Sequence, residues 1–198
     1  MDVTLIDSPV ANTANIARAL RVAGASLRIT NDASAIANAE KLVLPGVGSF
    51  IAARTWLMET GVDEALRTAV ARGSSLLGIC VGHQLLFDVS HEMGTTRGLG
   101  FIAGAVERLE GMLPIPQIGW NRVVADANPL FDGLPPSTSF YFVNSYASRG
   151  TAHEVARADY DGPFTAAVQN GRVFGVQFHP EKSSTAGLQV LRNYVAWT

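Results

Sequence analysis

The chain has 198 residues, 47% apolar and 16% charged, with 15 basic against 17 acidic side chains and a net charge of −2. This composition excludes an intrinsically disordered chain, offers no basic excess for neutralising a nucleic-acid backbone, and suits one domain over residues 1–198. The single cysteine, Cys80, excludes an intrachain disulfide framework and a Cys-rich zinc site, and fits a reducing compartment. The first residues, Met1 to Asp7, lack the basic start and long apolar stretch of a signal peptide, and no apolar run reaches membrane-spanning length, so a cytoplasmic protein without membrane contact is expected.

In chain order, Val3–Ile6 predicts a strand, and Asn12 or Thr13 caps a helix running to a stop at Gly24. Ser26–Ile29 predicts a strand, Asp32–Ala39 a short helix or turn, and Lys41–Leu44 a third strand ended by Pro45-Gly46-Val47-Gly48. Phe50–Arg72 is helical with a break at Gly61, Ser75–Ile79 is a fourth strand, and Val81–Val89 a helix. This alternation argues for right-handed crossovers and a parallel sheet. The second half changes character: strands are expected at Ala105–Leu109, Asn121–Ala125, Phe140–Tyr146 and Glu154–Ala158. Phe164–Gln169 and Val173–Phe178 form a hairpin about Asn170-Gly171, and Leu188–Trp197 closes the chain as a helix. The reading is an α/β fold with a mixed, mostly parallel central sheet and an antiparallel extension.

Gly78-Ile79-Cys80-Val81-Gly82 stands between a buried strand and a helix, in the glycine-flanked form of a nucleophile elbow. The turn brings the sulfur to the carboxyl edge of the sheet, the glycines admit backbone where a Cβ would clash, and the Val81 N–H is placed to donate to an oxyanion. A lone cysteine is more often a buried space-filler; the phased glycines favour a nucleophile. Its base must come from four histidines. His83 reads as a surface or packing residue, and His91 and His153 lie among polar neighbours. His179 ends a strand in Phe178-His179-Pro180-Glu181, where Pro180 stiffens the chain and the Glu181 carboxylate returns to the imidazole. Cys80, His179 and Glu181 together form the candidate triad.

Gly78-Ile79-Cys80-Val81-Gly82-His83-Gln84 and Gly175-Val176-Gln177-Phe178-His179-Pro180-Glu181 resemble the two defining motifs of the class I, triad-type glutamine amidotransferases, whose fold is three-layered. Pro45-Gly46-Val47-Gly48-Ser49-Phe50, Ile118-Gly119-Trp120-Asn121, Phe140–Tyr146 and the extension Lys182-Ser183-Ser184 are similar to the branch that serves imidazole glycerol phosphate synthase in histidine biosynthesis. The resemblance implies hydrolysis of L-glutamine through a Cys80 thioester, an oxyanion held at Val81 and Val47 with a loop that flips to complete it, and substrate contacts at Gly46, Gly48, Gln84, Glu92, Ser145 and Tyr146. Glu92 would take the α-ammonium. It further implies a (β/α)8-barrel cyclase subunit as heterodimeric partner, met through Asn12 and Lys182, and no metal or organic cofactor.

The family's first loop, D-Y-G-x-G-N, here reads Asp7-Ser8-Pro9-Val10-Ala11-Asn12, and Pro9 and Ala11 disfavour the positive φ of glycine. The usual His before Ser145-Tyr146 is Asn144, an amide that alters partner coupling or glutamine placement. A paralogue feeding another synthase, a stand-alone cysteine hydrolase with a flavodoxin-like core and a non-catalytic binding subunit are the rival readings.

Overall fold

The computed structural model describes residues 1–9 and 12–198; Val10 and Ala11, and with them the expectation placed on Ala11, lie outside the described residues. Four parallel strands alternate with helices over the first 80 residues: β1 (Asp2–Ile6), α1 (Thr13–Val22), β2 (Ser26–Thr30), α2 (Ala33–Ala37), β3 (Lys41–Gly46), α3 (Phe50–Glu59), α4 (Val62–Ala71) and β4 (Ser75–Cys80). Every residue of β3 and β4 is buried, as expected of parallel strands covered on both faces. The chain turns one way from β1 to β2 and the other way from β2 to β3. Right-handed crossovers therefore set α1 on one face and α2, α3 and α4 on the other. α1 starts at an Asn12 cap, and Gly61, at φ 72°, separates α3 from α4.

After Cys80 the structure departs from expectation. The helix expected over Val81–Val89 is a single turn, α5 (Val81–Gln84), followed by a strand, β5 (Phe87–Ser90). The reason lies in the backbone. The Leu85 carbonyl accepts from Leu99 N–H at 2.7 Å, Leu86 from Phe101 at 2.8 Å, and Phe87 from Gly100 at 3.1 Å, so residues 98–102 claim the acceptors a helix would need.

The second half supplies β6 (Thr96–Arg97), β7 (Ile102–Arg108), β8 (Gln117–Ala125), β9 (Ser137–Asn144), β10 (Tyr146–Ser148), β11 (Glu154–Asp159), β12 (Pro163–Asn170) and β13 (Val173–Val176), closed by α6 (Ser184–Ala196). One sheet runs β2-β1-β3-β4-β13-β12-β11-β8-β9, parallel as far as β13 and antiparallel beyond it. The fold is therefore α/β with the mixed sheet expected. A second sheet, β10-β7-β5-β6, was not legible in the sequence. The strand expected over Phe140–Tyr146 breaks at Ser145, where the chain leaves the large sheet as β9 and enters the small one as β10. The hairpin loop is Gly171-Arg172, one residue later than expected, because Asn170 pairs with Val173. α6 packs on α1 and is fastened at its end by buried Lys41, whose Nζ donates to the carbonyls of Tyr194 and Val195 at 2.9 Å and to that of Trp197. Among the described residues no helix is long and apolar enough to cross a membrane.

Candidate active site

Cys80 ends β4 at φ 55° and ψ −111°, a conformation that costs a non-glycine residue on the order of 1–3 kcal/mol. The surroundings enforce it. A Cβ on Gly78 would lie 2.5 Å from the Gly82 carbonyl oxygen, and one on Gly82 would lie 2.0 Å from that of Leu44. Only glycine at both positions lets the chain double back against β3 and lift the sulfur out of the sheet. α5 is only one turn long, so it brings no extended helix dipole to the sulfur.

His179 and Glu181 follow β13. His179 Nδ1 stands 2.8 Å from Glu181 Oε1, and both side chains are nearly sealed from solvent, at 4% and 1% exposure. The His179 backbone is held as well: its N–H donates to Tyr141 O at 2.9 Å, and its carbonyl accepts from the buried Ser183 hydroxyl at 2.6 Å. With Nδ1–H directed at the carboxylate, Nε2 is left for the hydrogen bond to Cys80. Burial would lower the His179 pKa, but hydrogen bonds to Cys80 and Glu181 and their negative charge outweigh it and raise it from 6.5 to about 10. The ring therefore favours imidazolium facing the sulfur, the state that stabilises a thiolate.

A cavity of about 390 Å³ opens on this group, lined among others by Val47, Gly48, Cys80, Val81, Gln84 and Glu92 from the parallel half and the small sheet. Pro116, Val143, Asn144, Ser145, Tyr146, His179 and Lys182 complete its lining. Beside the carboxyl ends of β3 and β4, it occupies the edge where α/β sheets bind ligands. Of the expected substrate contacts, Gly46 is not among its lining residues: it packs behind the elbow, where a Cβ would lie 2.8 Å from the Gly82 nitrogen. Gln84 spends its amide on the protein, donating to Tyr146 O at 2.9 Å and Gln177 Oε1 at 3.0 Å. Glu92 Oε2 accepts from the Phe50 N–H at 2.8 Å. Asn12 lies away from the cavity, exposed, with Oδ1 capping α1 through the Asn15 N–H. Lys182 is exposed at the rim, its Nζ 5.7 Å from the centre of the Tyr141 ring.

Two neighbours of the sulfur had no role in the sequence reading. Gln177 Nε2 donates to Cys80 Sγ at 3.9 Å, and the Val143 carbonyl lies 3.8 Å from it. Strand alternation was the available signal for Gln177, since it stands two residues before His179 and so on the same face. Asn144 is buried, donates to Tyr146 O at 3.1 Å, and leaves Oδ1 without a partner among the described residues. Those residues hold no cluster of three or more His, Cys, Asp or Glu side chains set to bind a metal.

A strained, glycine-framed cysteine beside a carboxylate-backed histidine at the edge of a small cavity is the apparatus of a cysteine-dependent acyl-transfer enzyme. The family profile of class-I glutamine amidotransferases matches residues 4–196, and this chain belongs to that family. It is 43% identical over 195 residues to the "Imidazole glycerol phosphate synthase subunit HisH" of Symbiobacterium thermophilum, covering 97% of this chain and 92% of that one. It is 44% identical over 208 residues to the subunit of the same name from Caulobacter vibrioides, with 98% of each covered. A crystal structure titled as a glutamine amidotransferase superimposes with a TM-score of 0.77 at 20% identity over 97% of this chain and 96% of that one, a likeness of fold.

Proposed function

We propose that this chain is the glutaminase subunit of an imidazole glycerol phosphate synthase: it hydrolyses L-glutamine and passes ammonia to a (β/α)8-barrel cyclase subunit in histidine biosynthesis. The observation that carries the reading is the Cys80–His179–Glu181 arrangement on one cavity, in a chain more than 40% identical to subunits of that name over nearly its whole length. Residues 1–198 act as one glutaminase domain in the cytoplasm. The Cys80 thiolate attacks the side-chain amide carbon. The tetrahedral oxyanion is met by the N–H groups of Val81 and, after a turn of the Gly46–Gly48 loop, Val47. His179 delivers its Nε2 proton to the departing nitrogen, so that ammonia leaves and a thioester remains. Water, deprotonated by the same nitrogen, then releases glutamate and returns the thiol. Glu181 keeps Nδ1–H in place throughout. Glu92 takes the α-ammonium, and Gly48, Gln84, Ser145 and Tyr146 shape the rest of the site.

Neutral ammonia is the nucleophile, and at neutral pH free ammonia is mostly protonated, so delivery through a closed path favours a docked partner. The surface beside the cavity suits one. Ile118 and Trp120 are 63% and 56% exposed on the outer face of β8, Trp120 meets Tyr141 edge-to-face, and Lys182 lies over Tyr141. An apolar group of this kind, fringed by a cation, is what a partner covers. The test is glutamine hydrolysis by the chain with and without the cyclase subunit and its phosphoribulosyl formimino-aminoimidazole carboxamide nucleotide. Low activity alone and strong stimulation in the complex are expected; full activity alone, or none in the complex, overturns the proposal.

A further inference from the structure

The loop between β3 and α3 is held at its two ends and free in its middle. Gly46 is wedged against the elbow, whereas Gly48, at φ 81°, has no atom of any described residue beyond its two chain neighbours within 4 Å of where a Cβ would stand. At the far end Ser49 caps α3 through the Ala52 N–H at 3.2 Å. The next residue, Phe50, has a wholly buried side chain and gives its N–H to Glu92 Oε2 at 2.8 Å. The first turn of α3 contains no acidic residue, so this helix-start donor is satisfied from another part of the chain. Glu92 follows β5 in the small sheet, and its own N–H is steadied by Ser90 Oγ at 3.2 Å. It lines the cavity together with Val47, Gly48 and Cys80. Oε1 has no hydrogen-bond partner among the described residues. An ionised carboxylate offers about four acceptor positions, so one side chain can serve the loop and a cation at the same time.

We propose that Glu92 ties the substrate's α-ammonium to the oxyanion loop, Oε1 taking the cation while Oε2 keeps the Phe50 N–H. A filled cavity then holds residues 46–49 more firmly than an empty one. The tie makes Glu92 a positioning residue for the oxyanion donors as well as a substrate contact, and it favours turnover of amides that carry an α-ammonium. The inference rests on reading the chain as a glutaminase.

Amide hydrogen exchange at Phe50 reads the tie directly. In the full chain carrying Cys80→Ala, which binds glutamine without turnover, L-glutamine slows Phe50 exchange about tenfold, the factor one charge-assisted hydrogen bond commands. Saturating glutaramate, the same molecule without the α-amino group, leaves it unchanged. In the ligand-free protein Glu92→Ala speeds Phe50 exchange about tenfold, whereas Glu92→Gln, which keeps an acceptor oxygen, stays within about twofold of the parent. In turnover by the complex with the cyclase subunit, Glu92→Gln raises KM and keeps kcat within about threefold; Glu92→Ala raises KM and lowers kcat by about tenfold. Equal Phe50 exchange in all three ligand-free proteins, equal slowing by glutamine and glutaramate, or equal kcat in the two variants overturns the tie. Failure of the unsubstituted complex to hydrolyse glutamine sinks the glutaminase reading instead, and the ligand-free exchange comparison still decides whether Glu92 holds the loop.

Discussion

Two buried histidines stand near Cys80, and their surroundings differ at every point. His83 is three residues along the chain, on the single turn of α5; His179 is 99 residues away and reaches the sulfur through the pairing of β13 with β4. His179 has a carboxylate on one ring nitrogen and the cysteine near the other, and its pKa is raised to about 10. His83 is wholly buried, with no partner for either ring nitrogen among the described residues, and burial lowers its pKa to about 3. It meets the Phe87 ring edge-on at 5.2 Å, and its Nδ1 fills the space where a Cβ on Gly175 would stand. One ring is built to carry a proton and the other to exclude one. Proximity in sequence thus says little about which histidine is the base; hydrogen-bond partners decide it.

Removing each ring should separate the two roles most sharply. His179→Ala is expected to cut glutamine turnover by the complex on the order of 10⁴–10⁶-fold, with ammonia-dependent synthesis by the partner unchanged and the circular dichroism spectrum retained. His83→Met, close in volume and without polar atoms, should leave turnover within about threefold. A comparable loss in both variants would mean that His83 takes part in the chemistry and would break the comparison.

The two rings also act on stability at opposite ends of the pH scale. The folded pKa of His179 lies above the unfolded value of 6.5, so its stabilising contribution is full below pH 6.5 and is lost as pH rises towards 10. His83 has a folded pKa of about 3, below 6.5, so it is without effect above pH 6.5. As pH falls from 6.5 towards 3 the unfolded chain takes up a proton that the folded chain refuses, and stability drops by up to about 1.4 kcal/mol per pH unit. Urea unfolding midpoints followed from pH 7 to pH 4 should therefore fall less steeply in His83→Met than in the parent. Parallel curves would show that other groups carry the acid sensitivity.

The parts of this arrangement legible in the sequence are those written in consecutive residues. Gly78 and Gly82 announce the elbow because no other residue admits the Leu44 and Gly82 carbonyls at such range, and the runs over β3 and β4 announce strands because both faces are buried. His179-Pro180-Glu181 likewise keeps its chemistry within three residues. What stayed hidden depends on long-range backbone pairing. Residues 98–102 turn an apparent helix into β5, Ser145 moves the chain from one sheet to the other, and Phe50 meets Glu92 across 42 positions. The burial of His83 is of this kind too: its helical neighbourhood does not reveal that a glycine on another strand makes room for the ring.

That glycine offers the smallest and most local way to sharpen the comparison. A Cβ on Gly175 would lie 2.4 Å from His83 Nδ1 and 2.9 Å from Leu86 Cδ1, contacts that require the imidazole, the Leu86 side chain or the strand itself to shift. Gly175 pairs with Gly78 across β13 and β4, so a shift is transmitted to the strand that ends in Cys80. Gly175→Ala is expected to cost about 1–3 kcal/mol, the usual penalty for overpacking. If the space belongs to His83, the cost should shrink in a His83→Ala background, giving a coupling energy of about 1 kcal/mol or more in a double-mutant cycle read by urea unfolding. Strict additivity would mean that Leu86 or the strand backbone, rather than the imidazole, sets the limit, and that His83 occupies its niche without depending on the glycine beneath it.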